Sequence, residues 1–193
     1  MKQPSNQRIS GIYAITTDDI IDLDLVAKVI VKHNINILQY RRKTSDEIIK
    51  YKEAKNLQQL CSTHNTLFII NDDINLAEKI GADGVHLGKN DESIVRARMI
   101  LGDKAIIGAS CYNDLNQAIK AQMDGADYVA FGSIFNSSTK PSAQHCSLAV
   151  ITKAKRLLDI PIVGIGGINF DNQQLAYNAG CDAVAIITAL VQD

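Results

Sequence analysis

The feature that most constrains this chain is an alternation of short apolar segments with longer segments of helical periodicity. The short segments are rich in Ile and Val and are apolar at consecutive positions. A strand that is apolar on both sides lies in a sheet covered on both faces, and such sheets are built from parallel strands joined by helices. The eight predicted strands span residues 11–17, 37–42, 67–72, 84–88, 105–110, 128–134, 161–166 and 183–188.

Between the predicted strands, apolar residues recur at the spacing of a helix. Leu25, Val26, Val29 and Ile30, for example, would share one helical face. The predicted helices span residues 22–34, 45–64, 74–80, 93–101, 113–123, 147–158 and 171–178. The chain therefore belongs to the α/β class. Both a closed (β/α)8 barrel and an open doubly wound sheet use this alternation.

A short motif, Gly-x-Asp-x-Val, occurs three times, at residues 81–85, 125–129 and 180–184. Each copy follows a predicted helix and opens a predicted strand. Glycine suits the end of a helix, and aspartate suits a tight turn. Barrels place their chemistry at the opposite ends of the strands, so we expect these motifs to stabilise the fold.

Length and charge limit the kinds of partner. The 193 residues suffice for one domain, 1–193, with a polar N-terminal segment at 1–10. A net charge of −1 gives no general attraction for nucleic acid. No apolar run reaches the length of about 18 residues that a membrane span needs, and residues 1–10 have no apolar signal core. We expect a cytoplasmic protein that binds small molecules, with reduced cysteines.

Three polar residues surround the end of the second predicted strand. Gln39, Arg41 and Lys43 are spaced by two, so they would share one face of an extended segment. Two cations on an inward face are costly unless an anion lies between them, and the Arg fork matches phosphate oxygens. A solvated strand end with acidic neighbours is the alternative. Arg42 would face the other way.

Carboxylates follow the next two predicted strands. Asn71, Asp72 and Asp73 come directly after the apolar run 67–70 of the third strand, and Asp91 comes after the fourth strand. Adjacent strand ends could bring two carboxylates onto one Mg²⁺ ion, which is completed by phosphate oxygens. Alternatively, Asp73 caps the helix that begins at residue 74.

The remaining polar or glycine-rich clusters also lie at, or directly after, the carboxyl ends of predicted strands. They are the stretches at residues 137–140, 164–169 and 187–188. The loops after strands seven and eight are a recurrent phosphate site of barrels, so the joint placement of all clusters favours the barrel. His86 alternates with Val85 and Leu87, which predicts a packed, inward-facing histidine. It is also the one candidate base for a sugar-phosphate isomerase or epimerase.

In chain order, these clusters resemble the thiamine phosphate synthase family. The motifs are Gln-x-Arg-x-Lys, Asn-Asp, His-Leu-Gly-x-x-Asp, Ile-Gly-x-Ser, Phe-Gly-x-Ile-Phe-x-x-x-Thr-Lys-Pro and Ile-Gly-Gly-Ile, and they span nearly the whole chain. The resemblance implies a Mg²⁺-dependent transferase. It would join 4-amino-2-methyl-5-hydroxymethylpyrimidine diphosphate to 4-methyl-5-hydroxyethylthiazole phosphate and release pyrophosphate.

The resemblance also implies residue roles. The groups that would hold the diphosphate are Gln39, Arg41, Lys43, Asn71 and Lys140. Asp72 and Asp91 would bind Mg²⁺, and Ser110 would lie beside the diphosphate or the pyrimidine. The groups that would hold the thiazole and its phosphate are Ser137, Thr139, Gly167, Ile187 and Thr188. Arg41, Lys43, Lys140 and Ser110 are the implied catalytic residues, the cations neutralising charge on the departing pyrophosphate.

Two departures from the family pattern leave alternatives. Asn136 and Ser137 replace the usual Pro-Thr pair, and the sequence ends at Asp193, where the family continues into a final helix. We expect this helix to be truncated or missing and apolar surface over strand eight to be exposed, which a homodimer could cover. A thiazole tautomerase, which carries His at the position of Tyr112, and a non-catalytic barrel that binds phosphorylated ligands are the competing functions.

Overall fold

The computed structural model describes residues 9–18, 21–43, 46–88, 91–136 and 145–187. Eight parallel strands follow one another around a closed barrel. Closure is explicit in the pairing of the first strand with the eighth, where Gly11 lies opposite Ala183. This pairing confirms the predicted barrel and excludes the open doubly wound sheet.

The strands are β1 Gly11–Ile15, β2 Ile35–Tyr40, β3 Leu67–Asn71, β4 Gly84–Leu87, β5 Ile106–Tyr112, β6 Tyr128–Phe131, β7 Ile162–Ile165 and β8 Ala183–Ile186. The helices within the described residues are α1 Leu23–His33, α2 Glu47–Thr63, α3 Ile74–Ile80, α4 Ile94–Leu101, α5 Leu115–Met123, α6 Leu148–Leu157 and α7 Gln173–Ala179. None of the helices in the described part of the chain is long and apolar enough to cross a membrane.

Most strands end earlier than their apolar runs predict. Residues 41–42 and 132–134 were expected in strands but lie in loops, because the chain leaves the hydrogen-bonded ladder before its apolar or charged run is over. In contrast, β5 extends to Tyr112, which pairs with Phe131 after a shift in register. Most strands therefore stop short of the predicted carboxyl end, and the residues that follow lie in loops at that rim.

Short polar side chains start most of the helices. The side chains of Asp22, Asp46, Asp73, Ser93 and Asp114 accept hydrogen bonds from the first-turn N–H groups of the helices that follow them. Such caps satisfy backbone donors that have no partner within the helix. The structure thus confirms the alternative role of Asp73, whose carboxylate accepts the N–H of Leu76 at 2.9 Å.

The aspartate of the repeated Gly-x-Asp-x-Val motif makes the same kind of hydrogen bond in all three copies. Its carboxylates Asp83, Asp127 and Asp182 accept the main-chain N–H groups of Phe68, Ile107 and Ile162 at 3.0, 2.8 and 2.8 Å. In each copy an aspartate just before an even-numbered strand anchors the start of the preceding odd-numbered strand. The motifs lie at the amino ends of the strands, as predicted for stabilising features.

The barrel interior is filled unevenly along its axis. Ile37, Ile106 and Tyr128 are bulky, inward-facing and completely buried. Toward the carboxyl ends, the inward positions of β6 and β8 carry the small residues Ala130 and Ala185. This change in side-chain size leaves space at the carboxyl rim, where the polar loops begin.

The predicted exposure of apolar surface over strand eight is wrong. Val184 and Ile186 face outward from β8, yet they are 0% and 1% exposed. They belong to a buried cluster with Ile168 and Cys181, against which Ile12 of β1 packs. No helix follows β8 within the described residues, which end at 187. All four cysteines are free and buried.

Candidate active site at the barrel mouth

A cavity of about 350 Å³ opens at the carboxyl ends of the strands. Six of the residues predicted for the site line it: Gln39, Arg41, Lys43, Asn71, Ser110 and Ile187. They come from four different strands, β2, β3, β5 and β8, or from the loops that follow them. The structure therefore brings together side chains that are up to 148 positions apart between Gln39 and Ile187 in the sequence.

The loop after β1 holds the two cations of this cavity in place. Arg41 donates its main-chain N–H to Thr16 Oγ1 at 2.8 Å, and Lys43 donates its N–H to Asp18 Oδ1 at 2.7 Å. The Arg41 guanidinium lies 3.5 Å from the Asp18 carboxylate. Arg42 points away, as predicted, with its Nε 3.4 Å from Glu53. Arg41 and Lys43 thus face the cavity from a fixed backbone.

An acidic pair adjoins the cavity. Asp72 adopts a left-handed backbone conformation with φ of 63°, and Asn71 Nδ2 donates to its carboxylate at 2.6 Å. The Asp91 carboxylate accepts the N–H of Gly88 at 2.6 Å. Partial burial, followed by the hydrogen bond and the charge of Asp91, raises the pKa of Asp72 to about 6, against the opposing charge of Arg41. Two neighbouring carboxylates form an oxygen-rich place for a cation.

This pair fits Mg²⁺ better than a soft metal. The described residues contain no group of three or more His, Cys, Asp or Glu side chains that could hold a metal ion. Mg²⁺, however, commonly uses one or two carboxylates and takes its other ligands from water and substrate phosphates. The Asp72–Asp91 pair beside a cationic cavity has that composition.

A chain of hydrogen bonds crosses the floor of the cavity. Gln39 Nε2 donates to the Tyr13 hydroxyl at 2.8 Å, and the hydroxyls of Tyr13 and Tyr128 are 2.8 Å apart. His86 Nδ1 lies 2.9 Å from the Tyr128 hydroxyl, and His86 Nε2 lies 2.8 Å from Ser110 Oγ. Burial lowers the pKa of His86 to about 4 despite the nearby Asp91, so the ring is neutral at pH 7.

These hydrogen bonds argue against the alternative function, a sugar-phosphate isomerase or epimerase. His86 is 8% exposed, which confirms the predicted inward histidine. Both ring nitrogens are already engaged within the barrel, and a lowered pKa makes the ring a weak base. The one candidate base of a sugar-phosphate isomerase is therefore committed to other partners.

Several predicted residues are not placed in the cavity. Gly167 has φ of 63°, and a Cβ there would lie 2.4 Å from the Asn136 carbonyl oxygen, so the loop after β7 packs closely on the loop after β6. Gly167 itself is not among the cavity-lining residues. Four further predicted residues, Ser137, Thr139, Lys140 and Thr188, lie outside the described residues.

Sequence reasoning missed Thr16, Asp18, Tyr13 and Tyr128. Thr16 and Asp18 follow β1 and obey the same strand-end rule that located the other clusters, so this rule could have found them. Tyr13 and Tyr128 lie within apolar runs and carry no mark in the sequence that separates them from packing residues.

Comparison with known proteins gives a consistent result. A family model described as thiamine monophosphate synthase matches residues 12–190. The chain is 48% identical over 185 residues to a thiamine-phosphate synthase of Nitrosococcus oceani, covering 94% of this chain and 85% of the relative. It is 45% identical over 184 residues to a thiamine-phosphate synthase of an Azoarcus species, covering 94% and 89%.

Solved structures agree at two levels. A thiamine phosphate pyrophosphorylase from Pyrococcus furiosus superposes with a TM-score of 0.86 at 32% identity, covering 98% of this chain and 91% of the other. An N-acetylmannosamine-6-phosphate 2-epimerase from Clostridium perfringens superposes with a TM-score of 0.72 at only 10% identity, which shows a shared fold alone.

Proposed function

We propose a role for the barrel mouth from one premise: this chain belongs to the thiamine monophosphate synthase family. It is a transferase that joins 4-amino-2-methyl-5-hydroxymethylpyrimidine diphosphate to 4-methyl-5-hydroxyethylthiazole phosphate. The products are thiamine phosphate and pyrophosphate. The bond from the pyrimidine methylene to the diphosphate oxygen breaks, and a bond from that carbon to the thiazole nitrogen forms.

The observation that carries the proposal is that Arg41, Lys43, Gln39 and Asn71 line one cavity next to the Asp72–Asp91 pair. The thiazole nitrogen carries no proton, so its attack needs no general base. The difficult step is the departure of a highly charged pyrophosphate. Arg41 and Lys43 would bind this group and neutralise the charge that grows on it, while Gln39 and Asn71 orient it.

We assign Asp72 and Asp91 to Mg²⁺, the proposed cofactor. When bound, Mg²⁺ would neutralise diphosphate charge and orient the leaving group. The chain's own part is to hold both carboxylates ready: Asn71 Nδ2 orients that of Asp72, and the Gly88 N–H orients that of Asp91. Ser110 lies between these features, since it lines both the central cavity and a smaller one of about 260 Å³ that contains Asp91.

The thiazole phosphate is assigned to the loops after β6, β7 and β8. The proposed residues are Ser137, Thr139, Gly167, Ile187 and Thr188, with Lys140 acting on the diphosphate. Support comes from Ile187, which lines the central cavity, and from the use of these loops for phosphate in barrels of this class. Tyr112, at the position of the tautomerase histidine, does not line either of the two cavities.

The proposal is tested by incubating the purified protein with both substrates and Mg²⁺ and assaying thiamine phosphate and pyrophosphate together. We expect equal amounts of both products, and loss of both when EDTA removes the metal. Pyrophosphate without thiamine phosphate would indicate hydrolysis instead, and ligand binding without either product would favour a non-catalytic barrel. The cytoplasmic location and the homodimer stay predictions, the latter testable by sedimentation velocity.

A further inference from the structure

We propose that Tyr128 is a positioning residue: it determines which nitrogen of His86 carries the proton and thereby makes the Ser110 hydroxyl a hydrogen-bond donor toward the cavity. The inference rests on the proposed function and takes one of the two positions assigned to Ser110, beside the diphosphate rather than the pyrimidine. The new element is the role of Tyr13, Tyr128 and His86, three buried residues to which the proposed reaction assigns no part.

The contacts form one unbroken series of hydrogen bonds that crosses the barrel interior from β2 to β5. Gln39 begins it on β2, the hydroxyls of Tyr13 and Tyr128 continue it, and His86 on β4 passes it to Ser110 on β5. Each of the four links is 2.8 or 2.9 Å long. Tyr13, Gln39, Tyr128 and His86 are all buried. At both ends, Gln39 and Ser110 line the central cavity.

The available protons determine which group donates and which accepts in each hydrogen bond of the series. Gln39 Nε2 can only donate, so Tyr13 accepts from it. The Tyr13 proton then goes to the Tyr128 oxygen, the acceptor within reach among the described residues. The Tyr128 proton goes to His86 Nδ1, which must therefore be the unprotonated nitrogen. His86 Nε2–H donates to Ser110 Oγ, and the Ser110 proton remains for the cavity.

The position of Tyr128 depends on the absence of a side chain at Gly108 in the neighbouring strand. Tyr128 starts β6, directly opposite Gly108 of β5. A Cβ at Gly108 would lie 2.1 Å from Tyr128 Cζ and 2.4 Å from its oxygen, so the ring occupies the space that a side chain would take. The ring also stacks on His86, with centroids 5.5 Å apart and planes inclined by 28°. The hydroxyl is thus held at His86 Nδ1 by packing.

The donor–acceptor order of these hydrogen bonds decides whether Ser110 donates or accepts at the barrel mouth. A Ser110 hydroxyl that accepts from His86 presents its proton to a diphosphate oxygen. In the reversed arrangement, Ser110 would donate to His86 and present a lone pair to an anion. Because negative charge grows on the leaving group during the reaction, a correctly oriented donor should act on kcat more than on KM.

The first test reads the proton position directly, without turnover. ¹⁵N NMR of the ligand-free protein labelled at histidine distinguishes a ring nitrogen that carries hydrogen from one that does not, and a His86→Asn variant assigns the signal. We expect His86 to be protonated at Nε2 in the wild type and to lose this preference in Tyr128→Phe. A wild-type ring protonated at Nδ1 would overturn the inference.

The second test is a double-mutant cycle on thiamine phosphate formation. Tyr128→Phe should lower kcat about tenfold, the loss expected for one hydrogen bond to a charged group, with KM for the diphosphate substrate nearly unchanged. Added to Ser110→Ala, the same substitution should cause no further loss, because its effect passes through Ser110. Tyr51→Phe is the control. Tyr51 lies on α2, and Lys79 of α3 lies over its ring. The Tyr51→Phe variant should keep full kcat.

A tenfold loss that persists in the Ser110→Ala background would contradict the inference, because Tyr128 would then act by another route. An unchanged kcat in Tyr128→Phe would contradict it as well. If Tyr128→Phe does not fold, the wild-type NMR measurement decides alone. A wild-type protein that makes no thiamine phosphate would contradict the proposed function, and the protonation of His86 would still be measured independently.

Discussion

The adjacent residues Asp72 and Asp73 have different roles at the barrel rim. Asp72 takes a left-handed backbone conformation and turns toward Asp91, whereas Asp73 caps α3 and lies 3.5 Å from Lys50. One peptide bond therefore separates a proposed metal ligand from a residue that stabilises a helix. Substitution of each in turn separates metal binding from stability.

Asp72→Asn should lower kcat by about 100-fold or more at a Mg²⁺ concentration that saturates the wild type, because one of the two proposed carboxylate ligands is lost. Asp73→Asn is the matched control: asparagine caps helices as well as aspartate does, so its turnover and its Mg²⁺ dependence should stay near the wild-type values. Titrations of initial rate against Mg²⁺ measure both. An Asp72→Asn variant with a normal Mg²⁺ titration would remove the assignment.

The residues of the mouth were predictable to different degrees. Gln39, Arg41 and Lys43 could be assigned to one face because strand geometry alternates at every residue, and charges within an apolar run stand out. Tyr13 and Tyr128 could not, because a tyrosine in an apolar run is equally consistent with packing. Only the folded barrel brings their hydroxyls, 115 positions apart, to within 2.8 Å.

At the scale of elements, the anchored turns show how short strands are held at their amino ends. Asp127 accepts the N–H of Ile107 and also pairs with Arg98 at 2.6 Å, linking α4, β5 and β6. Arg98 donates in addition to the carbonyl oxygens of Gly102, Ala105 and Gly125. The carboxylate is thus the centre of a small, partly buried network.

Asp127→Ala should lower the free energy of unfolding by about 2–3 kcal/mol, because a strand N–H loses its acceptor and Arg98 loses its counter-charge. Asp124→Ala, which removes an exposed pair with Lys120 on α5, should change it by about 0.5 kcal/mol or less. Urea unfolding followed by circular dichroism gives both values. Equal effects of the two substitutions would show that the repeated motif has no special structural role.

The elements themselves were largely readable from the sequence, their ends less so. The caps Asp22, Asp46 and Ser93 lie within one residue of the predicted starts of their helices at 22, 45 and 93. Strand ends were misplaced because an apolar run continues wherever the loop is also buried. Ile134, for example, is 1% exposed although it lies beyond the end of β6.

At the scale of the whole molecule, barrel closure is a non-local property. Local periodicity allowed an open sheet as well, and the pairing of β1 with β8 joins segments about 170 residues apart. The barrel was favoured because every polar cluster fell at the same end of its strand. The buried state of Val184 and Ile186 was not predictable in this way, because it depends on packing between distant parts of the chain.

Ligand binding at the mouth should stabilise the whole barrel, because the cavity exists only in the folded state. Mg²⁺ with pyrophosphate at about 100 times its Kd should add about 2.7 kcal/mol. For a domain of this size, that corresponds to a rise in Tm of roughly 5–10 °C, measurable by differential scanning fluorimetry.

Arg41→Ala should remove most of this rise, because Arg41 faces the anion in the cavity. Its own stability should change by less than about 1 kcal/mol, since the pair with Asp18 is exposed and 3.5 Å long. Arg96→Ala, which removes an exposed arginine paired with Glu92 on the outside of the barrel, should keep the full rise. If both variants kept the full rise in Tm, pyrophosphate would bind elsewhere, because Arg41 lines this cavity and would contact an anion bound in it.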